Sequence, residues 1–242
     1  MFITLRMKAS LLILLLFSSS LFAKECVILL HGLARSAGSM QTLEESLRAN
    51  DYHVANVDYP SREYPISELA EIAVNDGIAQ CQKHNAGKLN FVTHSLGGIL
   101  VRMYLKSNKR GDIGRVVMLG PPNQGSEVVD NLKKTPGFEL INGPAGMQLG
   151  TSDKDIPRSL GPVNFELGVI AGTQSINLIL SSFLPNPDDG KVSVESTKVE
   201  GMKDFIALPA SHPFLMTNEE VIKQTLHFLK HGSFNKDQYQ KG

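Results

Sequence analysis

An excess of charge of either sign is what this chain most plainly lacks. Its 24 lysines and arginines are matched by 24 aspartates and glutamates, so it carries no electrostatic footprint for nucleic acid. No internal repeat or low-complexity stretch interrupts the sequence. Long apolar runs are also missing, with one exception at residues 11–17, which follows Arg6 and Lys8 and precedes the mostly small residues 18–23. That order is the n-region, h-region and cleavage region of a secretory signal peptide, and the run falls short of the roughly 20 residues a bilayer span requires. Residues 1–23 are therefore read as a leader cleaved after Ala23. The mature protein is expected to be exported, periplasmic or secreted, with no stable membrane span. Cys26 does not follow a small residue in a lipoprotein-like box, so no lipid anchor is expected.

Cysteine is scarce as well, with Cys26 and Cys81 alone in the chain. In an oxidising compartment such an even pair invites a disulfide. Cys26 opens an apolar strand and Cys81 ends a helix. In a parallel sheet, strand beginnings and helix ends share one edge, so the two thiols are candidates to meet there.

Residues 24–242 suit a single α/β domain, and they read as alternating strands and helices. Strands are expected at Cys26–Leu30, 52–57, 89–92, 115–119, 165–171 and Asp204–Leu208. Helices are expected at 39–49, with Met40, Leu43 and Leu47 on one face, and at 66–84, with Ile66, Leu69, Ile72 and Ala73 spaced for burial. A third starts at about Gly98, and an amphipathic helix at 218–230 closes the chain. Strands separated by helices predict a mostly parallel central sheet covered on both faces. Residues 126–163, with their Gly, Pro and polar clusters, break the alternation and read as a small irregular cap-like insertion.

The segment Phe91-Val92-Thr93-His94-Ser95-Leu96-Gly97 is the most informative in the chain. An apolar strand meets a small-x-Ser-x-Gly turn and runs into a helix, the context of a strained turn that projects a nucleophilic serine hydroxyl above a sheet edge. Thr93 departs from the usual glycine. A serine hydroxyl needs a base, and the base needs an orienting acid, in the chain order Ser, Asp or Glu, His. Two loops following late strands supply them: Asp188-Asp189-Gly190-Lys191 and Ser211-His212-Pro213. Asp-Gly is a common turn pair and a His before Pro is commonly plain surface loop. The order and the position at strand carboxyl ends nevertheless select Ser95, Asp189 and His212, with Asp188 and then Glu195 as competitors for the acid. Oxyanion donors are expected from the N–H groups of Leu96, at a helix N-terminus, and of Leu33 after the first strand, with Ala34 as alternative. Arg35 and Arg62 are candidates for substrate contact or for structural ion pairs. His94 is read as packing.

With these residues in place the chain resembles the α/β-hydrolase superfamily, in particular bacterial lipase/esterase-like serine hydrolases. Ile-Leu-Leu-His-Gly-Leu at the start, Thr-His-Ser-Leu-Gly-Gly, Asp-Gly-Lys-Val-Ser-Val and the late His212 carry the resemblance. It implies hydrolysis of a small-molecule or lipid carboxylic ester through an acyl-enzyme, with Ser95 attacking, His212 moving the proton and Asp189 orienting it. No cofactor is expected, and no metal, because Pro213-Phe214-Leu215-Met216 stands where some lipases place a calcium-binding aspartate. The superfamily also contains thioesterases, amidases and acyltransferases, and the fold does not choose among them. A non-catalytic binding protein on the same fold is the alternative from a different class, and labelling by a serine-directed probe separates it.

Overall fold

The structure, a computed structural model, describes residues 24–237; the leader read at residues 1–23 lies outside them. Six strands form one sheet: β1 (Cys26–Leu30), β2 (His53–Val57), β3 (Leu89–His94), β4 (Ile113–Leu119), β5 (Glu166–Gly172) and β6 (Asp204–Leu208). Their order is β2-β1-β3-β4-β5-β6, and every pairing is parallel. The crossovers that parallel pairing demands are made by α1 (Gln41–Ala49), α2 (Ile66–Gln82) and α3 (Leu96–Ser107) in the first half of the chain. The second half uses α4 (Glu127–Leu132), α5 (Phe138–Met147) and α6 (Ile156–Ser159) between β4 and β5, and α7 (Leu178–Ser181) and α8 (Val194–Thr197) between β5 and β6. A last helix, α9 (Glu219–His231), returns to the sheet.

Two-residue strand periodicity divides the core. Val27 and Leu29 pack with Leu43 and Leu47 of α1 and Val221 and Phe228 of α9. Ile28 and Leu30 face the other way, into the cluster holding Leu69 and Ala73 of α2 and Ile99 and Leu100 of α3. Covered on both faces, β1 has no solvent side, and this is why its sequence is an unbroken apolar run rather than an alternating one. Each of these fully buried Val, Leu, Ile and Phe side chains contributes roughly 1.5–3 kcal/mol relative to exposure.

The last helix starts where its sequence says it should. Asn218 accepts hydrogen bonds from the N–H groups of Glu220 and Val221, and Gly232 ends the helix with φ 73°, an N-cap and a left-handed C-terminal glycine. Cys26 and Cys81 are joined by a disulfide across a sequence separation of 55, with Cα atoms 5.8 Å apart. It ties the start of β1 to the end of α2.

Two expectations need correction. Ile72 is 41 % exposed; α2 buries instead the stripe Ile66, Leu69, Ala70, Ala73, Val74 and Ile78, and Ile72 falls on its solvent side. The segment 126–163 is not irregular but holds α4, α5 and α6. These helices are only 6, 10 and 4 residues long, too short to display a 3.6-residue period. Gly137 (φ 86°) precedes α5, and Gly143 (φ 66°) with Pro144 kinks it. The segment is nevertheless tied down. Gln148 accepts from the Ile66 N–H at 2.8 Å, and Asp130 accepts from both the N–H and the hydroxyl of Thr151. Among the described residues no helix is long and apolar enough to cross a membrane.

Candidate active site

Ser95 sits between the last residue of β3 and the first of α3, with φ 53° and ψ −118°. This is a backbone region that costs a non-glycine residue energy and persists only where its surroundings impose it. Here Ser95 N–H donates to the Leu119 carbonyl at 2.9 Å, and its own carbonyl accepts from Gly98 N–H at 3.0 Å. The glycine two residues on is required by close approach, because a Cβ on Gly97 would lie 2.6 Å from the Leu30 carbonyl oxygen. Thr93, at the position where the motif has glycine, is completely buried within β3.

The three residues singled out in the sequence come together. His212, in the 3₁₀ turn His212–Phe214 after β6, lies with Nε2 3.0 Å from Ser95 Oγ and Nδ1 2.7 Å from Asp189 Oδ2. With Nδ1–H donating to the carboxylate, Nε2 is left to accept the serine proton. Asp189 is 1 % exposed, and its other oxygen, Oδ1, accepts from the N–H groups of Lys191 and Val192 at 3.0 and 2.9 Å. The Asp-Gly turn thus aims the carboxylate with its own backbone. The same loop holds His212 a second time, through His212 N–H donating to the Asp189 carbonyl at 2.9 Å. The competitors are engaged elsewhere. Asp188 accepts from the Ser181 hydroxyl and from Gly190 N–H, and Glu195 pairs with Lys198 on the surface.

Of the candidate oxyanion donors, Leu96 is the first residue of α3, where helix geometry leaves its N–H without an intrahelical acceptor. Ala34 is engaged, its N–H donating to Ser61 Oγ at 3.0 Å, whereas Leu33 lines the cavity that holds Ser95. This loop is braced from behind. His31 is fully buried and stacks on Tyr59 with ring centroids 4.0 Å apart, and the Tyr59 hydroxyl donates to the His31 carbonyl. Burial holds the His31 imidazole below its ordinary pKa and pushes the Tyr59 phenol up.

His94 lies nearer the chemistry than its sequence context suggests. Its Nε2–H donates to the main-chain carbonyl of His212 at 3.0 Å, and its ring lies 4.7 Å from the His212 ring. On its other side a Cβ on Gly32 would lie 2.7 Å from His94 Nδ1. Complete burial, followed by the proximity of His212, holds its pKa well below 6.5. The signal available in the sequence was its adjacency to Ser95, which placed it at the top of β3 without showing its partner.

Ser95, His94 and His212 open onto a cavity of about 490 Å³. Leu33, Val128, Val129, Phe138, Ile141 and Leu149 give it a largely apolar wall, with Arg35 and Lys191 among its lining residues. Lys191 is a site residue the sequence reading missed, although it stands two positions after Asp189. Arg62 is not brought to this cavity. It lines an adjoining polar one together with Asp58 and Glu63, because the chain turns away from the sheet after β2.

A parallel sheet with a strained Ser95 turn after its third strand, and with an acid and a histidine after its last two, defines an α/β-hydrolase. Residues 26–154, just over half of the chain, match the family model described as palmitoyl protein thioesterase, and the chain belongs to that family. Solved structures share its fold at low identity. Bacillus licheniformis lipase BlEst2 in its mature form is 18% identical with a TM-score of 0.69, covering 86% of this chain and 92% of that one. Phospholipase PlaB from Legionella pneumophila is 18% identical with a TM-score of 0.64, covering 90% and 61%. Paleococcus ferrophilus monoacylglycerol lipase is 20% identical with a TM-score of 0.57, covering 88% and 97%. No match was found among curated protein sequences.

Proposed function

We propose that the protein is an exported serine hydrolase that cleaves carboxylic esters of acyl chains through a Ser95–His212–Asp189 triad. The observation that carries the reading is the continuous hydrogen-bonded line from Ser95 Oγ through His212 to Asp189, at 3.0 and 2.7 Å, opening onto an apolar cavity. Ser95 Oγ attacks the substrate carbonyl as its proton passes to His212 Nε2. The N–H groups of Leu33 and Leu96 receive the developing oxyanion. His212 then returns the proton to the departing alcohol oxygen, and water repeats the sequence to release the acid from the acyl-enzyme. The lipase and phospholipase names of the structural neighbours support ester hydrolysis in general.

An acyl chain is favoured by the surroundings of the site. Exposed large apolar side chains are concentrated on α5 and around α7, namely Leu140, Ile141, Ile176, Leu178 and Ile179, with Phe214 beside the base. Of these, Ile141 and Ile176 also line the cavity itself. Export, read from residues 1–23, is supported by the Cys26–Cys81 disulfide, since such bonds persist in oxidising compartments.

The family match favours a thioester as the second reading. The same residues would serve, and a thiolate leaves with less need of the His212 proton. Turnover of matched octanoyl ester and thioester substrates by the wild type and Ser95→Ala decides. Wild-type ester hydrolysis reduced at least about 10³-fold in the variant is the expected result. Thioester turnover alone selects the second reading, and Ser95→Ala with full activity overturns both.

A further inference from the structure

Two cations in the Ser95 cavity have no role in the chemistry just described. Arg35 lies two residues beyond Leu33 and Lys191 two residues beyond Asp189, and both line the cavity that holds Ser95 and His212. Neither forms an ion pair among the described residues. The one carboxylate in the lining, Asp189, is committed to His212 and to two backbone N–H groups. Desolvation holds the Lys191 ammonium below its ordinary pKa; Asp189 pulls it back up and Arg35 pushes it further down, so the two cations act on one another. Arg35 stands at the border with the adjoining polar cavity, which it also lines together with Asp58, Arg62 and Glu63, whereas Lys191 lines the Ser95 cavity and not that one. In this largely apolar cavity the two cations outnumber the one carboxylate, which is already engaged by His212 and backbone N–H groups, and the resulting potential favours an anionic ligand.

Resting on the hydrolase reading above, we propose that the substrate is an acyl ester whose alcohol portion bears a phosphate group, held by Arg35 and Lys191 while the acyl chain lies along Val128, Val129, Phe138 and Leu149. The alcohol side follows from the proton path. His212 Nε2 must reach the departing oxygen, so the alcohol portion passes His212, and Lys191 belongs to the loop that grips His212. A guanidinium offers paired N–H donors to phosphate oxygens, and an ammonium adds a point charge.

The test compares 1-octanoylglycerol 3-phosphate with 1-octanoylglycerol, both as monomers, on the full mature chain and on Arg35→Gln/Lys191→Gln. The readout is the ratio of kcat/KM for the two esters. The wild type is expected to favour the phosphate ester about tenfold, with the preference shrinking as salt rises and collapsing toward one in the double variant. A wild-type ratio near one, or a preference that survives the double substitution, overturns the proposal. Calorimetric titration of both esters into Ser95→Ala, with and without the two substitutions, separates this proposal from the hydrolase reading. A tenfold binding preference in Ser95→Ala together with no hydrolysis of either ester by the wild type would sink that reading and sustain the phosphate site, whereas equal binding would sink the site.

Discussion

His94 donates its Nε2–H to the main-chain carbonyl of His212 at 3.0 Å, so the residue before Ser95 holds the backbone of the histidine beside it. Because a Cβ on Gly32 would lie 2.7 Å from Nδ1 of the same ring, His94 is wedged between the Gly32–Leu33 loop and the His212 loop. Misplacement of a catalytic group by a fraction of an ångström lowers rate more than binding. His94→Phe, which keeps the ring and loses the donor, should lower kcat about tenfold or more with a smaller change in KM. His94→Gln, which can place an amide N–H near the Nε2 position, should recover part of the loss. Equal kcat in wild type and His94→Phe would show that the tether is dispensable.

The same residue makes stability depend on pH. Its folded-state pKa lies well below 6.5 through burial, so on acidification the unfolded chain takes up a proton that the folded chain does not. Stability contributed by neutral His94 is therefore present above about pH 6.5 and falls with pH below it, by up to about 1.4 kcal/mol per pH unit for one proton. Urea unfolding from pH 7 to pH 5 should show this slope, and His94→Gln should flatten it by about one proton. An unchanged slope in the variant would remove His94 as its source.

Much of this site was legible because its parts are local. The strand–turn–helix around Ser95 and the Asp189-Gly190 turn each encode their geometry within a few residues, and chain order selects His212. The parallel sheet was legible for the same reason, since apolar strands such as 26–30 alternate with helical periods. The helices of segment 126–163 were not legible: helices of 4 to 10 residues show too few turns for a period, and the bond that anchors α5, from Ile66 N–H to Gln148, spans 82 positions. His94 and Lys191 were missed for a related reason. Their meaning depends on which loops the sheet brings beside them, and no local pattern reports that.

Asp188 and Asp189 are adjacent in sequence and engaged in different work. Asp189→Asn should reduce kcat by about 10³- to 10⁴-fold with the fold intact, because the amide no longer fixes the His212 tautomer. Asp188→Asn weakens the bonds from Ser181 and Gly190, which concern the setting of α7, and a loss of no more than about tenfold is expected. Equal losses for the two variants would contradict the assignment.

The disulfide closes a loop of 55 residues. On the chain-entropy account its removal should cost about 4 kcal/mol. Cys26→Ala/Cys81→Ala should therefore melt roughly 10 °C lower, at about 2–4 °C per kcal/mol for a chain of this size. Activity at low temperature should survive, since the bond lies at the sheet edge opposite Ser95. An unchanged melting temperature would show that the unfolded chain is already constrained without it.

The central claim is that His212 and Asp189 make Ser95 a nucleophile. Its most direct test is to incubate the native protein with a fluorophosphonate and map the modified residue by mass spectrometry. The expected result is stoichiometric labelling at Ser95 that is abolished in His212→Ala. Absence of labelling in a protein shown to be folded by circular dichroism, or labelling at Ser95 that persists without His212, would contradict it.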